Sequence, residues 1–146
     1  RRMSMKTSAR NQFRGKVTQV NTGSVNDEIE LEISAGQKIV AIVTHESTTE
    51  LGLKIGAEAL ALIKSSSVIL VTDDEGARFS ARNRLTGSIA RVHCGAVNTE
   101  VVLELPGGAS LAAIITNESS ASLGLSVGMT ASAIFKASSV IVGVPA

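Results

Sequence analysis

The chain has 146 residues, enough for one medium domain or two small ones. With 44% hydrophobic and 18% charged residues it has the composition of a folded protein and not of a disordered one. A net charge of +1 excludes a strong general field for nucleic acid or a membrane surface, so a basic residue here matters through its position.

The elements, in chain order, read as all-β. Residues 1–7 form a polar lead-in without the apolar stretch of a signal peptide. Residues 10–20 carry spaced apolar side chains (Phe13, Val17, Val20) and predict a first strand. Residues 28–33 alternate strictly, with Ile29, Leu31 and Ile33 on one face and Glu28, Glu30 and Glu32 on the other, a half-buried strand with a solvated acidic face. Gly36 turns the chain into a strand over 38–44. Residues 45–51 predict one or two helical turns closed by Gly52. Ile55-Gly56 leads into a strand over 57–64, and 68–71 is a last short strand. With aromatics at only 2% and no Trp or Tyr, the core is built from Val, Ile, Leu and Ala.

The second half repeats the first at an offset of 72 with no insertion or deletion: residues 8–71 and 80–143 share 29 of 64 positions. Ser8-Ala9-Arg10-Asn11 returns as Ser80-Ala81-Arg82-Asn83, Gly23-Ser24-Val25-Asn26 as Gly95-Ala96-Val97-Asn98, Leu51-Gly52-Leu53 as Leu123-Gly124-Leu125, and Lys64-Ser65-Ser66-Ser67-Val68-Ile69 as Lys136-Ala137-Ser138-Ser139-Val140-Ile141. The expected organisation is a lead-in at 1–7, a module at 8–71, a linker at 72–79 and a second module at 80–146. Five strands with a short helix between the third and fourth is the order of an OB-like barrel. The fold expected is therefore all-β: two tandem five-stranded OB-like barrels, each with one short helix. Such small modules gain stability by packing on one another, which predicts an interface between the copies and an oligomer.

Repetition also filters the chemistry. Ser8, Arg10, Lys64 and Ser66, with Ser80, Arg82, Lys136 and Ser138, offer two hydroxyls, a guanidinium and an ammonium in each copy. This mixture suits a tetrahedral dianion: the cations offset its charge and the donors replace its water. No carboxylate recurs within the set, which favours an anion over a metal cation. Asn26 and Asn98 sit in a loop that reads either as a plain turn or as backbone and amide donors for a second anion. Ser47 and Ser119 stand at the start of the short helix, where the hydroxyl serves either in capping or in binding an anion from a neighbouring module. Catalysis finds no support: His45 is matched by Asn117, His93 by Asn21 and Cys94 by Thr22, so no nucleophile or imidazole is shared. The histidines read as exposed surface residues and Cys94 as a small buried hydrophobe. A single cysteine allows no intrachain disulfide or cysteine zinc site and fits a reducing cytoplasm.

Taken together, Ser-Ala-Arg-Asn, Gly-x-Val-Asn, Leu-Gly-Leu and Lys-x-Ser-Ser-Val-Ile resemble the Mop module of the molbindins, related to transport-associated OB (TOBE) domains. The likeness covers 8–71 and 80–143. The tandem form is similar to two-module molbindins and to the C-terminal half of ModE-type molybdate-responsive transcription regulators. The resemblance implies molybdate or tungstate as ligand, sites at module interfaces in a homo-oligomer, and contacts from Ser8, Arg10 and Lys64, from Ser80, Arg82 and Lys136, and from Ser47 and Ser119 of a partner module. The regulators carry an arginine late in the short-helix segment, where Glu50 and Ser122 stand here. Residues 1–7 look like the tail of a preceding helix, which favours the ligand-sensing half of a regulator, with DNA contacted only through another domain. The alternative is a free-standing cytoplasmic molbindin for storage. A nucleic-acid-binding OB domain is opposed by the scarcity of aromatics. A purely structural module, with Arg10 and Lys64 paired to glutamates across an interface, is the remaining rival.

Overall fold

The computed structural model describes residues 7–73 and 75–145; the lead-in assigned to 1–7 lies outside them except for Thr7. The first copy contains β1 (Asn11–Asn21), β2 (Asn26–Glu32), β3 (Lys38–Thr44), α1 (His45–Leu51), β4 (Glu58–Ile63) and β5 (Ile69–Val71). The second contains β6 (Asn83–Cys94), β7 (Asn98–Glu104), β8 (Ser110–Thr116), α2 (Asn117–Leu123), β9 (Thr130–Phe135) and β10 (Val140–Gly143). A 3-10 turn, Ser65–Ser67 or Ala137–Ser139, precedes each last strand.

Each long first strand serves two partners. The first half of β1 pairs with β4 (Asn11↔Ile63 to Lys16↔Glu58) and the second half with β2, across a register shift between Val17 and Gln19. β6 repeats this with a shift between Ile89 and Arg91. Such bulges increase local twist and let a short sheet curl. Gly15 and Gly87 lie where the strands cross closely: a Cβ at either would come within 2.3 Å of the Glu32 or Glu104 carbonyl oxygen. That contact accounts for a glycine in mid-strand at both positions. The helices are also matched. Thr44 and Thr116 cap them, and Gly52 (φ 65°) and Gly124 (φ 62°) close them in the left-handed conformation.

The fifth strands are exchanged. The sheet orders are β10-β4-β1-β2-β3 and β5-β9-β6-β7-β8, so each sheet takes four strands from one copy and its last from the other. Ile141 pairs with Leu62, and Ile69 with Ile134. The repeat as a sequence unit and the sheet as a structural unit therefore differ by one strand. The cores merge accordingly: Val17, Ile29, Leu31 and Ile63 of the first copy belong to one buried cluster with Ile89, Leu103, Leu111 and Phe135 of the second. Burial on this scale is the main source of the fold's stability.

Two buried amides join the copies a second time. Asn11, 1% exposed, donates from Nδ2 to the Ala112 carbonyl (2.8 Å) and accepts the Ala112 N–H at Oδ1 (2.7 Å). Asn83, 2% exposed, does the same with Val40, at 2.8 and 2.7 Å. Each side chain stands in for one more peptide group beside an edge strand, β8 or β3, and so satisfies backbone groups that burial would otherwise orphan.

Candidate functional site

The pairing of β1 with β4 decides where the repeated polar residues go. Antiparallel register places the start of one strand beside the end of the other. Asn11 faces Ile63, so Ser8 and Arg10, just before β1, lie beside Lys64 and Ser66, just after β4. All four line one concavity of about 300 Å³, with Ile141 of the exchanged strand in its wall. The register Asn83↔Phe135 does the same for Ser80, Arg82, Lys136 and Ser138, which line a second concavity of about 490 Å³ with Ile69. In both, the 3-10 turn is held by a backbone bond, from the Ser67 or Ser139 N–H to the Lys64 or Lys136 carbonyl (2.9 Å each).

Both arginines are engaged by carboxylates of the opposite copy. Arg82 forms a two-pronged ion pair with Glu28, with Nη2 donating to Oε1 at 3.0 Å and Nη1 donating to Oε2. The Arg82 hydrogen bond holds the Glu28 carboxyl below its ordinary range, and Glu28 in turn raises Arg82. Arg10 pairs with Glu100, which also takes a bond from Arg91. Glu100, the repeat-related counterpart of Glu28, is only 8% exposed, so the solvated acidic face expected at 28–33 does not carry over to it; its burial is possible because two guanidinium groups converge on it. The rival reading of Arg10 as a cross-interface ion pair thus describes a real contact. Lys64 and Lys136 differ; neither has a carboxylate in ion-pair range among the described residues, and both are exposed.

Ser47 and Ser119 are occupied in capping. The Ser47 N–H donates to Thr44 Oγ1 (3.1 Å) and the Thr44 hydroxyl to Ser47 Oγ (2.8 Å); Thr116 and Ser119 repeat this at 3.0 and 2.8 Å. Asn26 and Asn98 are the exposed first residues of β2 and β7, and the Gly95 N–H donates to the Asn98 carbonyl at 2.8 Å, as a turn requires. Asn98 and Ser119 nevertheless line a third concavity, of about 380 Å³, together with Ser66 of the first copy. The strand exchange is what brings that first-copy serine to the second-copy helix.

The TOBE domain family matches this chain twice, at residues 7–70 and 80–142. The chain belongs to the TOBE family. The two TOBE domains resemble the molybdenum transport protein ModE of Herbaspirillum seropedicae, 51% identical over 99% of this chain and 54% of the relative. The molybdenum-pterin-binding protein MopA of Rhodobacter capsulatus is 46% identical over 98% of this chain and 54% of its own length. The chain therefore spans about half the length of these two relatives. The crystal structure of the cytoplasmic molybdate-binding protein ModG, with molybdate bound, superposes with a TM-score of 0.94 at 48% identity, covering 97% of this chain and 100% of that one. The tandem arrangement of two OB-like TOBE barrels is common to both.

Several features of this TOBE pair were not legible in the motifs. The buried asparagines and the cross-copy glutamates are the main ones; the only available signal was that each recurs at the offset of 72. Cys94 is exposed, not buried as expected, because it ends the projecting strand β6 with Sγ 3.4 Å from Asn117 Oδ1. Among the described residues no three His, Cys, Asp or Glu are grouped to hold a metal ion, and no helix is long and apolar enough to cross a membrane.

His45 is no bystander. Its Nδ1 lies 3.0 Å from a carboxylate oxygen of buried Asp27, while the second copy substitutes a neutral pair, Thr99 donating to Asn117 at 2.6 Å. Burial pushes Asp27 up, but bonds from Thr48, the Gly23 N–H and His45 outweigh it and leave the carboxyl below its ordinary value. A depressed carboxyl contributes stability that is complete above the unfolded-state pKa and is lost as pH falls through the folded one. The double variant Asp27→Thr/His45→Asn, which copies the second domain, is accordingly expected to lose less stability on acidification below about pH 4 than the parent. Urea midpoints measured across the acid range check this, and parallel curves for the two proteins would contradict it.

Proposed function

We propose that this TOBE chain binds molybdate reversibly at two repeat-related concavities, through Ser8, Arg10, Lys64 and Ser66 in one and Ser80, Arg82, Lys136 and Ser138 in the other. The observation that carries the reading is the convergence, twice, of a guanidinium, an unpaired ammonium and two hydroxyls in one concavity. ModG, the molybdate-bound relative that matches over its full length, supplies the ligand. Hydrogen bonds to charged groups contribute roughly 1.5–3 kcal/mol each. A few of them, less desolvation, reach the roughly −8 kcal/mol of a micromolar constant.

Neither concavity encloses a small ion, since each exceeds many times the ~30 Å³ share of one water. Ile69 and Ile141 on their rims are 61% and 63% exposed. This favours a homo-oligomer in which a further copy covers the rim and closes the site. The third concavity, with Ser66, Asn98 and Ser119, is the proposed place for an additional anion; Asn26 and Ser47 are its repeat-related residues. Tungstate is expected to bind as molybdate does and sulfate more weakly, because fixed donors discriminate by size.

The role favoured is that of a cytoplasmic molbindin which holds and releases the anion, supported by the 48% identity and TM-score of 0.94 to ModG, itself a cytoplasmic molybdate-binding protein. This reverses the preference drawn from residues 1–7, which had favoured the ligand-sensing half of a regulator. That second reading keeps one specific support, the 51% identity to ModE. Equilibrium dialysis against molybdate, with native mass spectrometry of the assembled particle, tests the proposal. Saturable binding with at least two anions per chain is expected, and no uptake at millimolar molybdate would refute it.

A further inference from the structure

The two concavities share their binding residues but not their charge. Each arginine is held by a glutamate that the other copy contributes, Arg82 by Glu28 and Arg10 by Glu100. These carboxylates take up guanidinium donors that an anionic ligand would also call on. Glu28 takes both Nη groups of Arg82. An incoming dianion must compete with it or accept the donor positions left over.

The competition differs between the two sides. Glu100 is divided between Arg10 and Arg91. The repeat-related position to Arg91 is Gln19, so among the described residues Glu28 has no second arginine and takes a hydrogen bond from Asn21 instead. With Lys64, the first set sums to a formal +2 (Arg10, Arg91 and Lys64 against Glu100). With Lys136, the second sums to +1 (Arg82 and Lys136 against Glu28). A dianion neutralises the first set and leaves the second with a net negative charge.

We infer that Glu28 and Glu100 act as internal competitors for the ligand arginines and that Arg91, by sharing Glu100, makes the Arg10 concavity the tighter of two unequal oxyanion sites. The inference rests on the proposed anion-binding reading. Arg91 acts through Glu100 and is a positioning residue; it is not in the set that meets the ion. One additional charge separated from the ligand by a carboxylate, in a half-exposed setting, corresponds to about three- to tenfold in affinity at low salt.

Isothermal titration of the full chain with sodium molybdate at low ionic strength reads this directly. The parent chain is expected to show two classes of site, with Arg10→Ala deleting the tighter and Arg82→Ala the weaker. Arg91→Gln should merge the classes at the weaker constant, and Gln19→Arg should merge them at the tighter. Glu28→Gln should strengthen the weaker class. Raising the salt should narrow the gap, which a purely steric difference would not do. A single class in the parent, or two constants unmoved by Arg91→Gln, overturns the inference while leaving molybdate binding intact. A weaker class that Glu28→Gln weakens further also overturns it, because the glutamate would then be orienting the arginine and not competing for it. Absence of any molybdate heat removes the functional reading itself and this inference with it.

Discussion

The double variant Arg10→Ala/Arg82→Ala is expected to lose molybdate affinity by at least about a hundredfold at both concavities while remaining folded. Each arginine offers a fork of donors to the ion, and two charge-assisted bonds at roughly 1.5–3 kcal/mol correspond to a factor of a hundred or more. The loss is compounded by what remains. Glu28, freed from Arg82, becomes an unpaired negative charge beside the site, and only lysine is left to offset it. The fold tolerates the change for a different reason. Arg10 and Arg82 are 53% and 52% exposed at their side chains, and exposed ion pairs contribute about 0–1 kcal/mol. Glu100 also keeps Arg91. Titration with molybdate and urea unfolding of the same sample separate the two effects. Binding like the parent's would show that the anion lies elsewhere, and unfolding of the variant would show that the cross-copy ion pairs are structural first.

That separation bears on how far the sequence could be read. The strand over 38–44 and the helix over 45–51 emerged at their observed ends, because the Gly36 turn and the Gly52 stop are local signals. The convergence of Ser-Ala-Arg-Asn with Lys-x-Ser-Ser was anticipated from duplication, and the β1–β4 register is its physical cause. The exchange of β5 and β10 was not legible. Ile69-Leu70-Val71 and Ile141-Val142-Gly143 are equivalent segments that follow equivalent turns, so either fits either sheet by pattern. The choice depends on how the copies pack, which no local periodicity encodes. The ion pairs of Glu28 and Glu100 were not legible for a related reason: alternation tells which face of a strand is polar, not what lies across from it. The partner arginines come from the other copy, 54 residues away for Glu28 and 90 for Glu100 in the chain. The asparagine following Arg10 and Arg82 was visible as a repeated residue, yet its task was not, because an amide serves an anion and a backbone equally well.

Removing that amide supplies the largest stability change expected. Asn83→Leu deletes both bonds to Val40 and leaves the N–H and carbonyl of a half-buried edge strand facing a hydrocarbon side chain. Each orphaned backbone group costs about 1–3 kcal/mol, so a loss near 3 kcal/mol is expected, a substantial part of a typical 5–15 kcal/mol stability. Asn83→Asp should be no milder, since it keeps the acceptor for the Val40 N–H but sets a second oxygen against the Val40 carbonyl and buries a charge. Asn11→Leu repeats the experiment at Ala112, on the other side of the pseudo-symmetric pair. Exposed Gln12, whose amide donates to the Ala9 carbonyl, is the control, and Gln12→Ala should stay within about 0.5 kcal/mol. With no Trp or Tyr in the chain, urea unfolding is followed by far-ultraviolet circular dichroism. If Asn83→Leu unfolds within 1 kcal/mol of the control, the amide is not what closes the barrel edge, and the exchanged strands alone hold the copies together. If it unfolds as expected, the asparagine beside Arg10 or Arg82 anchors the start of β1 or β6 to the opposite copy. Loosening that anchor then moves Arg10 or Arg82 away from its lysine, and anion affinity should fall with stability.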